Sequence, residues 1–224
     1  MLEAWIPITI AAAFLQNIRS ALQKHLQGRL SVSGAAYARF VYALPIAALY
    51  VWGLHRFGGL ALPTPNAKFL LYCLLGGICQ ILFTAFLLWM FSFRSFAVGT
   101  TFSKLEVVMA AALGAVLLGD ALSPIAVLAI AISALGVLAL SATRAHLSLH
   151  ALRGGLAHKS TAIGLASAAW LGGSSVFFRG ASLSLGHDHF AMAAAYTLLV
   201  SVLIQTVLMG VFIARFDPGE LTRV

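Results

Sequence analysis

Seven apolar runs constrain this chain more than any other feature: 5–24, 34–54, 69–89, 96–118, 123–141, 160–180 and 190–213. Each is about as long as the roughly 20 helical residues that cross a bilayer core. Inside hydrocarbon a backbone must satisfy its own hydrogen bonds, so runs of this length, divided by Gly-rich and turn-rich breaks, are expected to be helices. Charged residues make up 9% of the chain and hydrophobic ones 61%. That excludes the soluble globular class, in which about a quarter of residues are charged. The expected fold class is all-α: a polytopic membrane helix bundle of seven transmembrane helices set in the lipid bilayer.

The breaks carry local detail. Ser123 followed by Pro124 is an N-cap with proline at the first helical position, and the turn at Gly119-Asp120 makes the fourth and fifth runs a tight antiparallel hairpin. The N-terminal MLEAW lacks the basic segment of a cleaved signal, so the first run reads as a retained span. TRAHLSLHALRGGLAHKS, 143–160, is the longest basic connection. It divides the chain into residues 1–142 with five runs, a linker over 143–159, and residues 160–224 with two.

The formal net charge of +8 would suit a nucleic-acid partner if it were clustered on a solvated domain, but the basic residues stand singly between apolar runs. No nucleic-acid partner is expected. The bases set topology instead. One face of the bundle receives Lys24, Arg29, Arg94, Arg144, Arg153, Lys159, Arg215 and Arg223, eight in all, and the other receives Arg56, Lys68 and Arg179, three in all. The first face is assigned to the cytoplasm. Cys73 and Cys79, six apart within one apolar run, match no metal or redox spacing and read as small core residues. His146, His150, His187 and His189 read as solvated loop residues. No metal or cofactor is expected.

Three of the fourteen bases, Arg19, Arg39 and Lys104, fall inside apolar runs, as does Glu106. A charge at the bilayer centre costs about 2.5 to 3.5 kcal/mol on insertion scales, so such residues face a bundle interior or a watery cavity and find partners. At a rise of 1.5 Å per residue, Arg39, Lys104 and Glu106 lie roughly 8 to 15 Å below the cytoplasmic face, with Gln80 and Gln205 roughly 12 to 14 Å below it. Asn17 and Arg19 belong to the same leaflet. This points to a polar cavity open to the cytoplasm and lined by Asn17, Arg19, Arg39, Gln80, Lys104, Glu106 and Gln205. Arg19 and Lys104 also lie close enough to their helix ends to snorkel. Lys104 and Glu106, two apart, point about 200° from one another, so Glu106 needs a partner on another helix. Arg39 at matching depth is the first candidate. Three bases against one acid favour an anionic or zwitterionic solute.

Trp5, Trp52 and Trp89 sit at run ends, where indoles anchor at the headgroups, whereas Trp170 is mid-run and is the tryptophan expected to line a cavity. The neighbouring Gly172-Gly173-Ser174-Ser175 allows two readings: a helix interrupted at a binding site, or close packing through small residues.

GAVLLGDALSP (114–124), LAIAISALGVLAL (128–140) and ARFVYALP (38–45) resemble the drug/metabolite transporter superfamily, in its EamA-type ten-helix branch. The likeness rests on Gly119-Asp120 at the hairpin turn, Gly136 late in the fifth helix, and Arg39 followed by Pro45 in the second. It implies two inverted five-helix repeats. Residues 1–142 would form the first and 160–224 the start of the second, with FLQNIRSA (14–21) echoed by WLGGSSVF (170–177). Seven runs against an implied ten read as a chain truncated after the seventh helix. Many relatives carry proline where Glu106 stands, and the small multidrug members use a glutamate inside helix one, where this chain has Glu3 at the margin. A coupling role for Glu106 therefore does not transfer.

The resemblance implies a secondary transporter of the bacterial inner membrane. It would move a small metabolite or drug-like solute, an amino acid or organic anion among the options, by alternating access, with a homodimer as an open assembly. A non-transporting membrane fragment or interaction protein is the alternative. A membrane-embedded enzyme fits least, because among the six acids only Glu106 lies deep within a run.

Overall fold

The computed structural model describes residues 5–26, 29–93, 105–144 and 159–224; Lys104 and most of the basic linker lie outside them. The described residues are mostly helical and contain no strand. The helices are α1 (Trp5–Leu26), α2 (Val32–Arg56), α3 (Ala67–Phe93), α4 (Glu106–Leu118), α5 (Pro124–Arg144), α6 (Lys159–Ser184), α7 (Phe190–Phe216) and the short α8 (Pro218–Leu221). The first seven fall on the seven apolar runs, with α4 taking only the second half of the fourth, whose residues 96–104 lie outside the described ones. By length and hydropathy, Val32–Arg56, Ala67–Met90 and Phe190–Phe216 are each able to cross a bilayer, which marks the chain as a membrane protein.

The ends of the helices follow from local chemistry. Ser31 caps α2, its Oγ accepting the N–H of Gly34 at 3.1 Å. Asn66 does the same for α3, accepting from the N–H of Phe69 at 2.7 Å, while its amide donates to the Ser184 carbonyl at 2.7 Å and joins two turns at one end of the bundle. His187 reaches the Ala61 carbonyl, 2.9 Å away, at that same end. The turn between α4 and α5 has the caps that its residues predict, but the two helices make little contact along their lengths, so the tight antiparallel pair expected from the sequence does not form among the described residues. Gly119 closes α4 in the left-handed region at φ 72°, and Ser123 Oγ accepts the N–H of Ala126 at 3.2 Å at the start of α5.

Three pairings build the bundle: α3 along α6, α2 along α7, and α4 on α6. Lipid is as apolar as a leucine side chain, so association in a membrane relies on close fit through small residues. Gly172 shows this directly. A Cβ there would lie 2.8 Å from the backbone N of Ala110 and 3.0 Å from the Glu106 carbonyl, so α6 crosses the first turns of α4 nearly backbone to backbone. Gly173 faces Cys79 and Leu113. Helix α6 runs unbroken from Lys159 to Ser184, so the glycine pair serves packing and does not interrupt the helix. Phe40, Phe83, Leu88, Met90 and Ile213 fill the main core, and Cys73 and Cys79 are buried.

α1 and α5 pack least. From Pro124 to Gly136 every side chain of α5 is exposed or half-buried, and Ile8, Phe14 and Leu22 of α1 are likewise exposed.

Candidate functional site

Helices α2, α3 and α7 meet along a line of polar side chains. Gln205 Nε2 on α7 donates to Gln80 Oε1 on α3 at 3.1 Å. Gly77, one turn earlier on α3, makes room for this approach; a Cβ there would touch Gln205 Cγ at 3.4 Å. One turn further along α3, Thr84 is fully buried and donates to the Gln80 carbonyl at 2.9 Å. The same hydroxyl accepts Nη1 of Arg39 on α2, 2.6 Å away. The Arg39 guanidinium also lies 5.4 Å from the centre of the Phe40 ring. A half-buried guanidinium is tolerated when its donors find acceptors, and Thr84 supplies one inside the bundle.

Two hollows flank this line at opposite ends of the bundle. The smaller, about 370 Å³, lies among Arg19, Arg39, Tyr42, Leu30 and Arg223. The larger, about 760 Å³, runs from the α6–α7 turn at His187 and Asp188 inward past Thr197 to Gln80 and Gln205. The sequence-derived expectation of one cytoplasmic cavity holding all the polar groups is therefore divided. Arg19 and Arg39 face one hollow, and Gln80 and Gln205 face the other.

The remaining candidates separate. Asn17 is exposed and its amide donates to the Ala13 carbonyl of its own helix at 3.0 Å. Trp170 is exposed and lines neither hollow. Lys104 lies outside the described residues. Arg39 was the expected partner of Glu106, but its hydrogen bond goes to Thr84, and Arg19 is the base on which the Glu106 carboxylate acts electrostatically. Arg19 Nε is buried without a hydrogen-bond acceptor among the described residues. Arg19 and Arg39 are near enough to repel.

Sequence reasoning missed Thr84, Tyr42 and the C-terminal strap. An isolated threonine in an apolar run carries little signal, because its hydroxyl is readily satisfied by its own i−4 carbonyl. The strap closes one side of the smaller hollow. Glu220 Oε2 accepts the N–H of Ser31 at the head of α2 at 3.0 Å, while Oε1 pairs with Arg223 at 3.0 Å. Tyr42 donates to the Val224 carbonyl at 2.7 Å. At the other hollow Arg179 forms an ion pair with Asp120 in the α4–α5 turn.

Comparison of the chain with known protein families, with curated proteins and with solved structures finds no match.

Proposed function

We propose that the chain is a secondary transporter of the drug/metabolite type in the bacterial inner membrane, moving a small metabolite or drug-like solute by alternating access. One observation carries this reading. A hydrogen-bonded polar line, Arg39 to Thr84 to the Gln80 turn and across to Gln205, connects two hollows that open at opposite ends of a membrane bundle. A solute path needs polar groups at mid-depth that either end can reach in turn. In this reading α1 to α7 are seven spans of an inverted-repeat architecture of ten, residues 1–142 forming the first repeat. No catalytic role is assigned.

Solute uptake into proteoliposomes tests the proposal. Uptake that is lost in Arg39→Ala supports it. Unchanged uptake in both Arg39→Ala and Glu106→Gln would remove these residues from the mechanism.

A second reading, a non-transporting membrane fragment or interaction protein, is favoured by the nearly unpacked apolar surface of α5. It predicts that the purified chain shows no solute-dependent flux and associates through α5.

A further inference from the structure

We infer that the larger hollow takes an uncharged solute that carries a primary amide or lactam on an apolar body. The inference rests on the transport reading and deepens it by naming what this hollow admits.

The charge count along the sequence pointed to an anion, but the bases responsible are elsewhere. Arg19 and Arg39 line the opposite hollow. Among the described residues Arg179 is the one Lys or Arg in the wall of the larger hollow, and Asp120 neutralises it in an ion pair. Asp188 at the mouth then adds negative charge, which opposes entry of an anion. The inner wall is neutral. Its polar groups are hydroxyls and amides, including a Ser182–Thr197 hydroxyl pair at 3.0 Å, and its apolar surface comes from Phe178, Leu198 and Val202.

The two glutamines set the specificity. One N–H···O bond between two primary amides uses one of the two N–H donors of one NH₂ group and one of the two lone pairs of one carbonyl. Whichever way the pair is turned, the other NH₂ group and the other carbonyl take no part in it. In the arrangement found, these are the Gln80 NH₂ and the Gln205 carbonyl. A ligand amide offers a carbonyl to the first and an N–H to the second. A carboxylate of the same shape offers acceptors alone, so it satisfies the NH₂ and sets an anion against a carbonyl oxygen. Sites built to hydrogen-bond a particular group discriminate strongly against an isostere that cannot reciprocate. The volume of about 760 Å³ lies within the range of about 300 to 1,000 Å³ of drug-sized ligand pockets.

Isothermal titration of the full chain in detergent micelles with naphthalene-2-carboxamide and naphthalene-2-carboxylate, at neutral pH, tests this. The amide is expected to bind at least about ten-fold more tightly, which corresponds to 1.4 kcal/mol. Gln205→Leu is expected to remove that preference. Leu198→Trp, at an exposed position on the wall, is expected to block the hollow and provides the test where Gln205→Leu does not fold. Equal or tighter binding of the carboxylate overturns the inference, as does absence of amide binding or an amide affinity unchanged in the folded variants. Uptake is read separately. Amide binding without uptake overturns the transport reading and leaves this site standing, whereas uptake without an amide preference overturns the inference alone.

Discussion

Arg39 donates to Thr84 at 2.6 Å, and the Thr84 hydroxyl in turn donates to the carbonyl of Gln80 at 2.9 Å. A single buried hydroxyl thereby connects a cation on α2 to the turn of α3 that bears the amide pair. A hydroxyl suits this position because it accepts and donates at once.

Thr84→Val keeps the shape and removes the acceptor. Hydrogen bonds to charged groups contribute about 1.5 to 3 kcal/mol, so the variant is expected to lose stability of that order, and Thr84→Ser much less. Thermal unfolding in detergent reads the difference, and equal midpoints for the two variants would count against the network.

The strap is expected to respond to pH. The N–H of Ser31, together with Arg223, holds the Glu220 carboxyl below its ordinary value. Its folded-state pKa is depressed, so its contribution is fully present above the ordinary carboxylate range and is lost as pH falls through the folded value. A nitroxide on Thr222→Cys is expected to gain mobility as the solution is acidified, and to be mobile at all pH values once Glu220→Gln is introduced. A label that stays immobile at low pH would contradict this.

Gly34→Ala releases the strap by another route. Its Cβ would overlap Glu220 Oε2, so the carboxylate must leave the head of α2. The same label is expected to become mobile at neutral pH while the helix content by circular dichroism is unchanged.

Neighbouring glycines on α6 are expected to differ sharply. Gly172→Ala places a methyl 2.8 Å from the backbone of α4 and forces the helices apart, at a cost of about 1 to 3 kcal/mol. Among the described residues Gly173→Ala meets nothing nearer than Cys79 Sγ at 3.6 Å, and it is expected to fall within about 0.5 kcal/mol of the parent. Equal melting temperatures for the pair would mean that α4 and α6 are not so close.

Asp120→Asn removes the ion pair with Arg179, whose side chain is 56% exposed. Solvent screening limits such a pair to about 0.2 to 1 kcal/mol, so stability is expected to change little. A large loss on thermal unfolding would show that the turn depends on this contact.

Much of this architecture was legible along the chain. A helix in lipid is a local necessity, so the apolar runs marked the helices. The caps at Ser123 and Gly119 depend on residues a few positions away. The relative level of two polar groups was legible too. Counting along the axis put Gln80 and Gln205 at one level, and the structure joins them at 3.1 Å. The same counting left the Gly172-Gly173 pair undecided between an interruption and a close crossing, and only the position of α4 settled it.

What counting does not provide is direction around the axis. Asn17 and Arg19 are two residues apart, yet Asn17 turns outward to its own helix while Arg19 faces the smaller hollow. Arg39 found Thr84, a residue that nothing in its own neighbourhood distinguishes, and Glu220 reached 189 positions back to the head of α2. The rise per residue is a property of the backbone alone, so the sequence by itself determined the helices and the levels of their polar groups. Which groups face one another depends on how each helix is rotated against its neighbours. That rotation is set by the fit of side chains distant in sequence, and only the tertiary structure decided it.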